Sequence, residues 1–274
     1  MTLKTDGPLV LAGAGNMGAA LLAGWLERGL DPGAVLIQDP APPPTTLALL
    51  ARYGLSASPR LEAPSAPPAV IVVAIKPQIM DEVFPALARH AGQRTVVLSI
   101  AAGRTLAGFE RHLEVRAAVV RAMPNTPAAI ARGITVAVPN AHVSPVQRQL
   151  CDALLRAVGE VEWVEDEGLL DPVTAVSGSG PAYVFYLAEC LAAAGVKAGL
   201  APDLAMKLAR HTVSGAGELL ARSSASPATL RESVTSPNGT TFAALQVLMG
   251  PDGLARLMAE AVAAATRRSR ELAK

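Results

Sequence analysis

Two hydrophobic patterns divide the chain. In the first part, short and nearly unbroken apolar runs recur at Leu9–Ala12, Ala34–Ile37, Ala69–Ile75 and Thr95–Ile100. Runs of this length, bounded by Gly and Pro, read as strands buried on both faces. A helical pattern follows the first run: Ala19, Leu22, Ala23 and Leu26 share one face, and Gly29 stops it. Thr45–Tyr53 reads as a second helix, ended by Gly54, with the stiff Ala41-Pro42-Pro43-Pro44 loop ahead of it. Strand and helix in alternation imply parallel βαβ units with right-handed crossovers. A strand running into Arg121, Gly133–Val138, a helix near Val146–Val158 and a short strand at Glu160–Val164 complete that sheet.

Past Glu165-Asp166-Glu167 the strand-like runs stop. The remainder to Lys274 reads helical, broken at Gly178–Pro181, Gly195–Pro202, Ser223–Pro227 and Ser236–Gly239. The expected architecture is α/β. A Rossmann-type, doubly wound parallel sheet spans residues 1–164, and an all-helical C-terminal domain spans 165–274.

Composition narrows the possibilities. Hydrophobic residues are 51% of the chain and aromatics 3%, so the core must be built from Ala, Val, Leu and Ile. Lys plus Arg (24) nearly balance Asp plus Glu (23), which disfavours a nucleic-acid partner. Cys151 and Cys190 lie far apart, and His90, His112, His142 and His211 are scattered, so no metal site or disulfide framework is indicated. No run reaches transmembrane length, and Met1–Pro8 lacks a signal pattern. A soluble, cytoplasmic protein away from membranes is expected.

The first candidate chemistry lies between the first strand and helix. Gly13-Ala14-Gly15-Asn16-Met17-Gly18 fits G-x-G-x-x-G in the strand–turn–helix context that dinucleotide binding requires. The first glycine permits the turn, the second admits a pyrophosphate, and Gly18 allows tight helix–strand packing. Asp39 ends the second strand, about 20 residues on, where an acid would meet the adenine ribose. Glycine-rich turns also occur in sheets that bind no nucleotide. The following strands run into Lys76-Pro77-Gln78 and Ala101-Ala102-Gly103, at the sheet edge where ligands bind.

The second candidate is Leu230-Arg231-Glu232-Ser233-Val234-Thr235-Ser236-Pro237-Asn238-Gly239-Thr240-Thr241-Phe242. It reads as a helix end, a tight turn and a new helix, with Thr240 and Thr241 placed to cap it. The free N–H groups of that helix start suit a carboxylate. An ordinary helix–turn–helix corner needs the same residues. Within Leu204–Leu220, the small residues Ser214, Gly215, Ala216 and Gly217 offer a face for close helix approach, within one chain or between chains.

Taken with Arg121-Ala122-Met123-Pro124-Asn125-Thr126-Pro127-Ala128 and Asp171–Tyr183 (D-P-V-T-A-V-S-G-S-G-P-A-Y), this stretch resembles the signatures of pyrroline-5-carboxylate reductases. The resemblance spans nearly the whole chain. It implies reduction of the C=N bond of 1-pyrroline-5-carboxylate to L-proline by NADH or NADPH. It assigns cofactor contact to Gly13, Gly15, Asn16, Met17, Gly18, Asp39, Ala74, Ile75, Lys76, Pro77, Ile100, Ala101 and Ala102. Glu167, Ser233, Ser236, Gly239, Thr240 and Thr241 would line the substrate pocket, with Thr241 hydrogen-bonding the ring nitrogen. A homodimer, or a decamer built from dimers, is the implied assembly.

Two departures stand out: Asn238 replaces a usual glycine, and Asp39-Pro40 replaces Asn or Ser followed by Arg. Asn tolerates the left-handed region, and an acid without that arginine favours NADH. Arg60 is the remaining cation that can serve a 2′-phosphate. The competing readings are a β-hydroxyacid dehydrogenase and a non-catalytic nucleotide sensor. The first expects a lysine soon after the glycine-rich helical segment, whereas no lysine follows Gly180 until Lys197.

Overall fold

The structure is a computed structural model and describes residues 3–113 and 116–272, so the extreme ends of the two expected domains lie outside it. The chain forms two compact units: residues up to Gly178 with those from Thr266 onward, and Ser179–Ala265. The boundary expected near residue 165 falls inside the first unit.

The first unit is built on one eight-stranded sheet. Its strands are β1 (Leu9–Ala12), β2 (Val35–Gln38), β3 (Ala57–Ser58), β4 (Val70–Val73), β5 (Val96–Ser99), β6 (Ala118–Met123), β7 (Gly133–Pro139) and β8 (Gly159–Trp163). They lie in the order β3-β2-β1-β4-β5-β6-β7-β8, and every neighbouring pair is parallel except β6 with β7. From β1 the chain first builds outward to β3, then returns to β4 on the other side. That reversal is the topological switch point at which such sheets bind ligands. The antiparallel β7 has a simple cause. Only nine residues, 124–132, separate it from β6, and a parallel crossover needs about a dozen or more.

The strands alternate their side chains between two buried layers. Leu9, Leu11, Val70, Val72, Val96 and Leu98 face the helices α1 (Asn16–Glu27) and α5 (Pro145–Leu155), packing on Leu21, Leu22, Trp25, Cys151 and Leu154. Val10, Ile71, Val73, Val97 and Val119 form the other layer, with Phe84 of α3 (Met80–Ala88) and Phe109 of α4 (Leu106–Glu110). In a chain poor in aromatics these few rings are anchors. Trp25 is wholly buried and its Nε1 donates to the Leu154 carbonyl at 2.9 Å, tying α1 to α5. Phe84 and Phe109 meet edge to face, 5.0 Å between centroids. Two further helices belong to this unit, α2 (Pro44–Arg52) and the short α6 (Leu170–Val173), which runs into a π-helical turn at Thr174–Gly178.

The second unit is all helical. It contains α7 (Gly180–Lys197), α8 (Pro202–Arg222), α9 (Pro227–Ser233), α10 (Thr240–Leu248) and most of α11 (Leu254–Leu272). Close helix approach inside this unit is made at Gly195, where an added Cβ would meet the Cβ of Ala205 at 3.3 Å. Around Gly215 and Gly217 such an atom would meet nothing within 4 Å. The small-residue face of α8 is therefore open within the chain. Large apolar side chains are exposed throughout the unit, among them Phe185, Tyr186, Leu219, Val247 and Met249.

Candidate active site

The strand ends bring one group of expected residues together. Gly13 N–H donates to the Gln38 carbonyl at 2.8 Å, Ala74 N–H to Ala12 at 2.7 Å, and Ile100 N–H to Val73 at 3.0 Å. The residues that leave β1, β2, β4 and β5 thus lie side by side along the carboxyl edge of the sheet. Gly13, Gly15, Asn16, Met17, Gly18, Asp39, Ala74–Pro77 and Ile100–Ala102 all belong to this row.

The glycines of the loop have separate physical roles. Gly13 has φ +91°, and an added Cβ would come within 2.6 Å of the Ala74 carbonyl oxygen. A Cβ on Gly18 would strike the Gly13 carbonyl. Gly15 is different: a Cβ there would meet no protein atom within 4 Å. The space beside it is free for a ligand. No side chain caps the start of α1, which leaves its first amides and positive dipole end for an anion. A dinucleotide pyrophosphate fits that cradle.

Asp39, expected at the ribose position, is tied to backbone. Its Oδ2 accepts from Ala14 N–H at 2.7 Å and its Oδ1 from Ala41 N–H at 2.8 Å. Arg60 leaves β3 two residues after Ser58, whose carbonyl accepts the Asp39 N–H at 3.0 Å, and it is exposed. Lys76 is exposed, whereas Ile100 and Ala101 are buried.

Several contacts of this region have no signature in the sequence. Arg104 donates to the Pro77 carbonyl at 2.7 Å and binds both carboxylate oxygens of Asp81, so it joins the loops after β4 and β5. That pair holds the Asp81 carboxyl below its usual range. Thr46 donates to the Ala14 carbonyl at 2.9 Å. Arg121, at the end of β6, is 5% exposed and paired with Glu167. Glu167 had been assigned to the substrate pocket. Here its Oε1 accepts from Arg121 Nη1 and from the Leu106 N–H that opens α4, each at 2.8 Å.

The string around Ser177 forms the π-helical turn, a conformation frequent at functional sites. Met123 Cε packs against it: a Cβ on Gly178 would lie 2.5 Å from that atom. The Ser177 hydroxyl is buried with no partner among the described residues.

In the helical unit, Ser233, Ser236, Gly239, Thr240 and Thr241 are gathered at the corner between α9 and α10. Asn238 takes φ +59°, the left-handed conformation its side chain tolerates. Gly239 N–H closes the turn on the Ser236 carbonyl at 3.1 Å, and an added Cβ at Gly239 would lie 2.5 Å from Ser236 Oγ. One expectation is corrected. Thr240 and Thr241 do not cap α10; Gly239 is the N-cap and no side chain fills that role. The threonines are the first two helical residues, one position too late for their hydroxyls to turn back on the helix start. Ser233 Oγ donates to its own helix at Leu230 O, 2.8 Å away.

Relatives decide the family. A family model described as pyrroline-5-carboxylate reductase dimerisation matches residues 167–272, and one described as NADP oxidoreductase, coenzyme F420-dependent, matches residues 9–103. A pyrroline-5-carboxylate reductase of Pseudomonas aeruginosa is 38% identical over 97% of this chain and 97% of its own. One from Synechocystis is 41% identical, covering 97% and 98%. This chain belongs to the pyrroline-5-carboxylate reductases. Its reaction is the reduction of pyrroline-5-carboxylate to proline with NAD(P)H, the last step of proline biosynthesis. The solved reductase of Coxiella burnetii superposes with a TM-score of 0.89 at 32% identity, over 98% of this chain and 99% of that one. A Plasmodium falciparum reductase, solved with NADP bound, gives 0.82 at 26% identity, over 99% and 100%. The dehydrogenase and sensor readings fall away. The reductase acts on a small molecule and assembles through its helical part, and no described helix is long and apolar enough to cross a membrane.

Proposed function

We propose that the reductase divides its work between the two sets of residues described above. The row along the sheet edge takes the dinucleotide, with the pyrophosphate at Gly15, Asn16 and Met17 and the adenine ribose at Asp39. NAD(P)H supplies the hydride that reaches the imine carbon. The loops at Ala74–Pro77 and Ile100–Ala102 line the coenzyme and exclude water from it.

The substrate carboxylate falls to the α9–α10 corner, and Glu167 keeps its substrate assignment on the resemblance alone. One observation carries this assignment. The start of α10 has no side-chain cap, and glycine at its N-cap leaves the Ser236 hydroxyl close beside the turn, so amides and a positive dipole end remain for a carboxylate. The N–H groups of Gly239, Thr240 and Thr241, with the Ser236 hydroxyl, hold that carboxylate. The Thr241 hydroxyl faces the ring nitrogen and stabilises it as it becomes an amine. A protonated imine arrives with its own proton, so no separate general acid is needed.

The functional assembly is a homodimer formed through the helical unit, and dimers can gather further into a decamer. NADH is the preferred coenzyme, because a carboxylate repels a 2′-phosphate. A cytoplasmic setting suits the two unpaired cysteines. The test is direct: purified protein should oxidise NADH or NADPH when given pyrroline-5-carboxylate. A Gly239→Ala variant should raise the substrate KM while leaving coenzyme affinity unchanged. Equal substrate KM in that variant would refute the corner as the carboxylate site.

A further inference from the structure

Two consecutive peptide planes of the glycine-rich loop are each held by a side chain from outside it. The Gly13–Ala14 plane is held on its N–H edge by Asp39 Oδ2, at 2.7 Å. The Ala14–Gly15 plane is held on its C=O edge by Thr46 Oγ1, at 2.9 Å. A trans peptide is rigid and carries its C=O and N–H on opposite edges. Holding the Ala14 oxygen toward α2 therefore turns the Gly15 N–H the other way, away from Thr46. The same logic turns the Gly13 carbonyl from Asp39 toward α1, where a Cβ at Gly18 would strike it.

Thr46 is well placed to act as a fixed support. It is the third residue of α2 and is 1% exposed. Pro42, Pro43 and Pro44 precede it, so the path from Asp39 to α2 has little backbone freedom. A buried hydroxyl on a buried carbonyl is also costly to lose, because the orphaned oxygen stays desolvated.

We infer that Thr46 is a positioning residue of the dinucleotide site: by holding the Ala14 carbonyl, it sets the glycine-rich loop in its ligand-ready conformation before any coenzyme arrives. It touches neither coenzyme nor substrate. The inference rests on the reading of this loop as the coenzyme loop. Its effect falls on the part of the ligand shared by NADH and NADPH, so it changes affinity without changing preference. Asp39 differs, since its carboxylate also faces the position where the two coenzymes diverge.

The experiment is a fluorescence titration of NADH and of NADPH into the full-length protein and its variants, alongside thermal melts. Thr46→Val replaces the hydroxyl with a methyl of similar size. It should raise both dissociation constants by about 5- to 10-fold, with their ratio unchanged, and leave kcat at saturating coenzyme near wild type. Thr46→Ser keeps the donor and should bind within about twofold of wild type. Unchanged dissociation constants in Thr46→Val, with or without a lower Tm, would overturn the inference. So would a Ser variant as weak as the Val variant, since the methyl packing would then be what matters. If the Val variant does not fold, Thr46→Ala replaces it, and wild-type affinity in that variant is then the overturning result. Wild-type protein that binds neither nucleotide would instead refute the coenzyme reading of the loop, and this inference with it.

Discussion

Arg121 Nη1 donates to Glu167 Oε1 at 2.8 Å across 46 residues of sequence, joining the carboxyl end of β6 to the segment that precedes α6. The guanidinium is 6% exposed and the carboxylate 28%. A charge so far from water stays only because its partner is present. Glu167→Ala should therefore destabilise the protein by about 3–5 kcal/mol. Arg121→Met with Glu167→Ala should recover part of that loss, because no unpaired buried charge remains. Chemical denaturation of the three proteins checks this, and a double variant weaker than Glu167→Ala would contradict it.

Much of this architecture was legible because parallel strands covered on both faces must be apolar throughout. The runs that became β1, β4 and β5 needed no further information. Ala57–Ser58 was missed because a two-residue edge strand has neither length nor pattern. The direction of β7 was available in principle from the short link after β6, which is a chain-length argument and not a hydrophobic one. Among candidate site residues, Gly13 to Gly18 stood out by spacing and Ser236 to Thr241 by resemblance. Arg104 and Thr46 did not, since each acts on a backbone or carboxylate group that only the fold brings near; Arg121 stood in a motif, but its pairing with Glu167 had no signature. Asp39 was read as a ribose acid, but its two bonds to backbone amides have no sequence signature.

Thr241 offers a cleaner kinetic test than stability does. A hydroxyl that meets the ring nitrogen only as its charge changes contributes to the transition state more than to binding. Thr241→Val should lower kcat by about 10- to 100-fold with a smaller change in KM. Steady-state rates with pyrroline-5-carboxylate settle it. A variant with wild-type kcat would make Thr241 an ordinary first-turn residue of α10.

Assembly follows from the exposed apolar surface of the helical unit. Phe185 and Tyr186 are each 65% exposed and Val247 76%, and large exposed apolar side chains of this kind mark interaction surfaces when they are contiguous. Sedimentation velocity should show a dimer or a larger species at assay concentrations. Placing a charge on the open face of α8, as in Gly215→Glu, should weaken association and lower activity together. A stable, fully active monomer would contradict the assignment.

Coenzyme choice turns on how Asp39 uses its two oxygens. Both accept backbone N–H bonds, from Ala14 at 2.7 Å and from Ala41 at 2.8 Å. If Asp39 takes the adenine ribose as proposed, its carboxylate would repel the 2′-phosphate of NADPH, so kcat/KM should favour NADH. The structure changes what a substitution there should do. If Asp39 were only a ribose ligand, Asp39→Ser would narrow the preference by improving NADPH. Because the carboxylate also braces the glycine-rich loop, the variant should lose efficiency with NADH and gain little with NADPH, and the gap closes from the NADH side. Arg60 supplies the counter-test, since it leaves β3 two residues past the Ser58 carbonyl that binds the Asp39 amide. Arg60→Ala should lower kcat/KM for NADPH and spare NADH. Six measurements, two coenzymes on the wild type and the two variants, separate the possibilities. An NADPH preference in the wild type, abolished by Arg60→Ala, would show that the arginine and not Asp39 governs the choice.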